Sequence, residues 1–478
     1  MNAILGETTV YGRRQKLKAI PAGLDFKDVY GATLERIKEQ GGEKTRLGMA
    51  ALMWISHSER LLQLDELLHA LAVEIGSTDL NPEKIPSVET LLNCCLGLVI
   101  VDEEASTVRL IHFTLREYFR SCPVLFGPTH SIMAETCLTY LNFRAIEDIS
   151  PTPSTVSQQT PFLEYASLYW GVHGRRETSK GVVSLALKLF GQIESHISTK
   201  LLLMDLISMT GRYSCDIPMN CPLAGFTGLH CASVFGISEV AISLMDQPNC
   251  DLSGRDFLGI TPLIWAAICG QEGVVKPLLE WPTVNPDTPD DYFGRTALSW
   301  SARNGHEGIV RLLLDWAPAG PGGTDGWRGK TPRLLSKVRG RRYVNPNWQD
   351  KCGQTPILLA AEKGHEEVLK LLLGRKDVKS DKPDNGSRTP LCWAARNGHE
   401  GVVRILLERE DVSPDNADND GPTPLCWAVQ NGHEGVVKIL LERDDVNPDK
   451  PDCDGRTPLW WAIQHGNTGV AALLQPQG

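Results

Sequence analysis

The 478-residue chain has 58 acidic and 48 basic residues, a net charge of −10 that argues against general binding to nucleic-acid phosphates. No stretch approaches the roughly 20 apolar residues of a membrane span, and the first residues lack the apolar run of a signal peptide. The chain is also too long to fold around a single hydrophobic core, so we expect two or three domains. Without a signal peptide or a membrane span, it is expected to stay inside the cell, in the cytoplasm with the nucleus as an alternative.

The pattern between residues 44 and 125 predicts three helices, in TRLGMAALMWISH, LQLDELLHALAVE and SVETLLNCC. Two strand-like runs follow, LGLVIVD and VRLIHF, joined by the polar turn EEAST. Three helices and a hairpin predict a winged helix. Its third helix carries Glu89 but no Lys or Arg, and the hairpin tip is Asp102, Glu103 and Glu104. These carboxylates argue against DNA binding, and a nucleic-acid-binding regulator is kept as the alternative function.

Residues 126–215 contain three apolar helical stretches, HSIMAETCLTYLNF, FLEYASLYWGVHGR and VSLALKLFGQIESHISTKLLLMDLI. We interpret them as a helical connector between the winged helix and the C-terminal half.

The C-terminal half, residues 220–478, is built from a repeated unit. A threonine before an apolar helix start recurs at intervals of 34, 35, 35, 24, 34, 34 and 34 residues, at Thr227, Thr261, Thr296, Thr331, Thr355, Thr389, Thr423 and Thr457. This period is typical of stacked helical repeats. In GSRTPLCWAARNGHEGVVRILLE, Thr-Pro starts the first helix, Gly398 ends it, and the second helix follows. The Asp-rich segment between units is predicted to be a turn, called a finger below.

The unit at 329–350 is truncated. Thr331 and Val344 are 13 residues apart, whereas Thr389 and Val412 are 23 apart. The missing residues would carry the Gly-His turn and most of the second helix. We therefore expect about eight units with a break, bend or loosened join between 220–316 and 352–474; an error in the gene model or in splicing is the alternative.

His399 and Glu400 open an apolar helix as in half of the HExxH zinc signature, but Val403 stands where the second histidine is needed. The chain also lacks GxxxxGK[ST] and GxSxG, and its DxDG at 452–455 lacks the rest of a calcium loop. We expect no enzyme activity, no cofactor and no metal.

Two columns of the repeat are candidate protein-binding residues. The first is a tryptophan ladder: Trp265, Trp300, Trp393, Trp427 and Trp461. These rings either fill the seams between units or form an aromatic binding stripe. The second column is the finger aspartates, among them Asp384, Asp418 and Asp452. Aspartate in a turn usually bonds the backbone, but the summed acidic field favours a protein partner with a basic surface.

The repeated TPLCWA, TPLIWA and TPLWWA resemble the TPLHxA motif of ankyrin repeats, over about 220–474. The resemblance implies stacked antiparallel helix pairs whose fingers and inner helices form a concave face that holds other proteins. The motif histidine is present only as His230, so the family's Thr-His hydrogen bond is expected to be missing elsewhere and replaced by apolar packing.

The stretch GLDFKDVYGATLERIKEQGGEKTRLGMAALMWI, with VRLIHFTLREYF, resembles the region behind the NTPase domain of fungal NACHT-ankyrin proteins, which are NLR-like receptors. There it is a winged helix related to that of GPI inositol-deacylase. The resemblance covers about 17–190 and implies that residues 1–43 are a remnant following a missing NTPase domain. It places His112 where such domains can contact nucleotide; without the NTPase, a partly buried structural histidine is expected.

Together these patterns predict a mainly α fold: a winged helix plus helical connector followed by an ankyrin-repeat solenoid. The predicted function is a non-enzymatic protein-protein interaction module, the recognition surface of an NLR-like signalling or scaffold protein.

Overall fold

The fold is mainly helical and divides into two compact units, residues 1–221 and 222–478. No helix in the described ranges is long and apolar enough to cross a membrane. The computed structural model describes residues 26–147, 149, 160–193, 196–209, 225–316 and 344–475.

The first unit begins with a winged helix whose small sheet is antiparallel, in the order β1-β3-β2. Val99 pairs with Leu110 across the hairpin, and Leu62 pairs with Val108. Trp54 of the second helix is buried at the centre. The elements are α1 (Phe26–Glu39), α2 (Gly42–His57), β1 (Leu62–Gln63), α3 (Leu64–Ala72), a 3₁₀ turn (Pro82–Lys84), α4 (Val88–Cys94), β2 (Val99–Asp102), β3 (Thr107–Leu110) and α5 (Phe113–Ser121).

His112 differs from its predicted setting. It is exposed rather than partly buried. Its backbone is extended, and its Nδ1 accepts a hydrogen bond from the Thr114 N–H at 3.3 Å, so it caps α5. A capping residue precedes the helix and lies at its solvent-facing end, which explains the exposure.

The connector packs directly on the winged helix within the first unit. Its helices α6 and α8 form the most extensive helix contact of the unit. Trp54 meets two connector rings edge-on, Phe162 at 5.4 Å and Tyr165 at 5.9 Å between ring centroids. The elements are a 3₁₀ turn (Pro123–Leu125), α6 (Thr129–Leu141), α7 (Arg144–Glu147), α8 (Leu163–Arg176), α9 (Lys180–Phe190) and α10 (Ile197–Met209).

The second unit is a single stack of antiparallel helix pairs, seven of them in the described ranges. The first helices are α11 (Gly228–Phe235), α13 (Pro262–Ile268), α15 (Ala297–Asn304), α17 (Pro356–Lys363), α19 (Pro390–Arg396), α21 (Pro424–Gln430) and α23 (Pro458–Gln464). The second helices are α12 (Ser238–Met245), α14 (Glu272–Leu279), α16 (Glu307–Leu314), α18 (Glu366–Leu373), α20 (Glu400–Leu407), α22 (Glu434–Leu441) and α24 (Thr468–Leu474).

Of the break, bend or loosened join predicted near residue 331, a break is wrong for the described helix pairs on either side. Helix α15 packs directly on α17, and α16 packs on α18, with no layer between them. The buried Arg295 Nε donates to Asp350 Oδ2 at 2.8 Å across this junction. Thr331, with most of the truncated unit predicted at 329–350, lies outside the described residues. The interval of 24 therefore does not mark a gap in the stack.

Candidate functional site

The repeated NGHEG is a joint between successive units. Each histidine donates its Nε2–H to a carbonyl of the preceding first helix, as His433 does to Arg396 O at 3.0 Å. Gly398 ends α19 with φ of 77°, and an added Cβ there would lie 2.6 Å from His433 Nδ1. The same bond is made by His306, His365 and His399.

The glutamate and second glycine of the motif serve the same joint. A Cβ on Gly401 would lie only 1.9 Å from Oε1 of Glu366, in the preceding unit. Glu400 stands in the same relation to Gly435 in the following unit. These contacts give the His-Glu pair a packing role, and no group of three or more metal-ligating side chains occurs among the described residues.

Each first helix is capped by its threonine, as the sequence predicted. Thr389 Oγ1 accepts the Cys392 N–H at 3.2 Å. The lost Thr-His hydrogen bond is only partly replaced by apolar packing, because Thr389 Oγ1 also donates to Cys392 Sγ at 3.4 Å. His230, where the motif histidine survives, bonds Thr227 Oγ1 at 2.9 Å and the Ile260 carbonyl at 3.1 Å.

The tryptophan ladder and the finger aspartates are bonded to each other. Trp427 Nε1 donates to Asp418 Oδ2 at 3.0 Å, while Asp418 Oδ1 accepts the Asp420 N–H of the finger. The same indole-carboxylate bond, at 2.8–3.0 Å, occurs in Trp265–Asp256, Trp300–Asp290, Trp393–Asp384 and Trp461–Asp452. Each of these five units therefore ties its finger to its first helix.

In the unit that starts at Thr355, the finger aspartate has a different side-chain donor. Leu359 occupies the tryptophan position of this unit, and its side chain has no hydrogen-bond donor. Oδ2 of its finger aspartate, Asp350, instead accepts from Arg295 of the preceding unit. The guanidinium thus replaces the indole and crosses the junction at the same time.

The three candidate aspartates that make these bonds are buried. Asp384, Asp418 and Asp452 are 6–7% exposed. Burial raises the pKa of Asp418. At Asp452 burial also acts to raise the pKa, but hydrogen bonds from Arg456 and Trp461 outweigh it and the pKa is lowered. Because these carboxylates are buried and hydrogen-bonded within the array, a binding partner would contact the exposed residues around them rather than the carboxylates themselves.

The ladder divides into a covered and an open part. Trp265 and Trp300 are 4–5% exposed, whereas Trp393, Trp427 and Trp461 are only half-buried. The open part lies in the last three units, on the side where first helices meet fingers.

The family comparison agrees with this architecture. A family model of ankyrin repeats matches residues 229–325, 332–418 and 410–478, just over half of the chain. The chain belongs to the ankyrin-repeat family. The model of the winged helix domain of GPI inositol-deacylase matches residues 34–122, the region of α1 to α5. No curated protein matches the chain significantly.

The ankyrin array has an inner face formed by its first helices. These helices pack more extensively on one another than the second helices do. Close approach is possible because alanines such as Ala394 and Ala428 are fully buried there. The open tryptophans belong to this face.

Sequence reasoning missed the arginines of the inner face. The Cζ atom of Arg388 lies 4.7 Å from the Trp393 ring centroid. Arg396 lies 5.2 Å from Trp393 and 4.5 Å from Trp427, in the next unit. Arg456 lies 4.6 Å from Trp461. The spacing of Arg396 three residues after Trp393, one turn on, was the available signal.

The first unit contains a buried histidine network. Nδ1 of His173 bonds His130 Nδ1, and its Nε2 bonds the Tyr165 hydroxyl, both at 2.9 Å. Burial, with the charges of His130, Arg176 and His57, lowers the pKa of His173 to about 3. Both ring nitrogens are engaged, so the network holds α6 and α8 together.

Proposed function

We propose that the chain is a non-enzymatic protein-interaction module and that its ankyrin array is the recognition surface. The role follows the sequence resemblance: part of an NLR-like signalling or scaffold protein, acting in the cytoplasm, with the nucleus as the alternative. The observation that carries the proposal is the open inner face of the last three units. There half-buried Trp393, Trp427 and Trp461 lie beside arginines, and Trp and Arg dominate interface hot spots.

The absence of enzyme activity is part of this proposal. The conspicuous His-Glu pairs act in joints between units, and the His173 network bonds its own neighbours. Hydrolase or ATPase turnover by the purified chain would refute this part.

We also propose that nucleic acid is not a partner. Glu89 on α4 and Glu103 and Glu104 at the hairpin tip are exposed, where a DNA-binding winged helix presents cations. Salt-sensitive retardation of duplex DNA by the full chain would favour the alternative function of a winged-helix regulator.

The contacts of the finger aspartates leave fewer acidic groups free to attract a basic surface of the partner than the sequence pattern predicted. Asp384, Asp418 and Asp452 are bonded within the array, and Asp415 pairs with Lys450 at 3.1 Å. Exposed acidic groups remain at the finger tips and the loops that precede them, namely Asp420, Asp444 and Asp449. A basic patch of the partner would meet these edges.

The proposal is tested by affinity capture with the full chain, followed by direct binding of the purified captured protein. The Trp393→Ala/Trp427→Ala variant should lose at least tenfold in affinity, on the scale of hot-spot truncations. The outer-face variant Arg404→Glu/Lys438→Glu, at exposed positions of α20 and α22, should bind as the wild type does. Circular dichroism must show both variants folded. Equal binding by a folded inner-face variant would refute the inner face as the recognition surface.

A further inference from the structure

We propose that Arg396 is a receptor site for a carboxylate, an Asp or Glu side chain that the partner protein inserts between units of the array. This inference rests on the proposed function and specifies the partner's chemistry at one point of the inner face. Arg396 belongs to a column of the repeat whose occupants differ from unit to unit.

The column lies seven residues after each capping threonine, near the end of the first helix. Its occupants are Val234, Ile268, Arg303, Glu362, Arg396, Gln430 and Gln464. Two of them show how neighbours in this column interact. Arg303 Nη1 lies 3.6 Å from Glu362 Oε2 in the following unit, and both side chains are less than a tenth exposed. A carboxylate one unit on therefore neutralises an arginine of this column.

Arg396 occupies the same position without that carboxylate. The residue one unit on is Gln430, a neutral amide. Glu362, one unit back, is engaged with Arg303 and with Lys363 Nζ at 3.1 Å. Among the residues the structure describes, no carboxylate lies within ion-pair distance of the Arg396 guanidinium.

The two indole rings leave the hydrogen-bonding capacity of Arg396 unused. A guanidinium over a ring engages the ring face electrostatically, whereas its N–H donors point outward in its own plane. Trp393 and Trp427 thus fix the cation in place and shield it from water without accepting its hydrogen bonds. The side chain remains half-exposed on the open inner face.

A carboxylate matches this arrangement. Its two oxygens accept parallel N–H donors of one guanidinium, and the partial shielding strengthens the contact relative to a fully exposed pair. Arg388, over the same Trp393 ring, does not compete for the ligand because its Nε lies 3.2 Å from Asp384 Oδ2. The site is therefore a single guanidinium with room for one acidic side chain.

A single substitution within the array can place a carboxylate beside Arg396. Gln430→Glu recreates the Arg303–Glu362 arrangement two units further along the stack, between Arg396 and residue 430. It leaves Arg396 and both tryptophans in place. Arg396→Gln removes the cation. Arg404→Gln makes the same charge change at an exposed position of α20 and is the matched control.

The experiment selects peptides from a random displayed library on the immobilised full chain. Wild-type selection should yield peptides that share an Asp or Glu, and replacing it with Asn or Gln should weaken binding roughly 10- to 100-fold, as expected for a hydrogen-bonded charged group. Gln430→Glu and Arg396→Gln should weaken the original peptide by a similar factor, and the amide peptide should lose nothing further on Arg396→Gln. Arg404→Gln should bind as the wild type does. Melting curves check the fold of every variant.

The failures are distinguishable. Selected peptides that lack an acidic residue, or that bind folded Gln430→Glu and Arg396→Gln unchanged, would overturn the carboxylate site while the proposed function stands. A library from which the wild-type chain selects no peptide would count against both.

Discussion

The ion pair between Arg295 and Asp350 should decide whether the ankyrin array unfolds as one stack. The perturbation is Arg295→Met, which keeps an apolar side chain of similar length and removes the guanidinium. Asp350 Oδ2 then loses its donor, and Gln354 Oε1 loses a hydrogen bond of 3.0 Å. Among the described residues, the Asp350 carboxylate retains as donors only the N–H groups of Cys352 and Gln354.

The magnitude follows from the burial of the pair. The side chains of Arg295 and Asp350 are 4% and 1% exposed, so the remaining carboxylate cannot be solvated by water. Removing one partner of such a pair costs about 3–5 kcal/mol. Because the contact crosses between the helix pairs before residue 317 and those after 343, the loss should fall on the coupling between them.

The assay is urea unfolding of the full chain, followed by circular dichroism and tryptophan fluorescence. Arg295→Met should lower the stability of the array and separate its unfolding into two transitions. Arg456→Met is the matched control, since Arg456 also precedes a capping threonine but pairs within its own unit and is 33% exposed. It should cost only about 1–2 kcal/mol, because the buried Asp452 carboxylate keeps the Trp461 N–H and two backbone N–H groups as donors.

The double variant Arg295→Met/Asp350→Leu should recover most of the loss, because apolar groups of similar volume replace a buried ion pair at little cost. A loss in Arg295→Met no greater than that in Arg456→Met would refute the reasoning and restore the loosened join that the sequence predicted.

Three further predictions concern the pH response, the corner glycines and the indole bonds. Acid should destabilise the first unit, because burial lowers the pKa of His173 to about 3 when folded against an ordinary value of 6.5. The contribution of His173 is complete above pH 6.5 and should fall by about 3 kcal/mol between pH 7 and pH 4 in urea titrations. His173→Gln should make that slope shallower without removing it, because burial also lowers the pKa values of His57, His130 and His196. Gly466→Ala should cost about 1–2 kcal/mol for its positive φ alone, since an added Cβ meets nothing within 4 Å. Gly398→Ala should cost roughly 1–3 kcal/mol more, because its Cβ would meet a histidine ring, and equal losses in the two variants would contradict that contact. Trp427→Phe should cost about 1–3 kcal/mol by leaving Asp418 Oδ2 without its donor. The same change should cost less in an Asp418→Ala background, where that bond is already absent, and an equal cost in both backgrounds would contradict the reasoning.

Local features of this fold were predictable from the sequence. The threonine caps and the glycine corners involve contacts within one helix or turn, and residues such as Thr389 and Gly398 carry the needed chemistry themselves. The winged helix and the ankyrin repeats followed from periodicity and motif, and the family comparisons confirm both.

The remaining features depend on residues that meet only after stacking. Arg295 and Asp350 are 55 positions apart, and no local pattern predicts that an arginine replaces a missing indole in the next unit. The intervals between threonines predict a truncated unit at 329–350, which stays a prediction, but they could not show that α15 packs directly on α17. The sequence also could not separate seam from binding stripe for the tryptophan ladder, because ring exposure changes along the stack, from 4% at Trp265 to half-buried at Trp427.

The joint formed by NGHEG bears on how such a chain can lengthen. The units that start at Thr296, Thr355, Thr389 and Thr423 each present a glycine to the following unit and a histidine N–H to a carbonyl of the preceding one, so each is complementary to a copy of itself. Duplicating residues 389–422 in place would thus generate one new joint already of the correct form, without compensating changes elsewhere. Growth by duplication preserves the scaffold while each added copy leaves its exposed inner-face positions free to diverge, which lets recognition change faster than architecture.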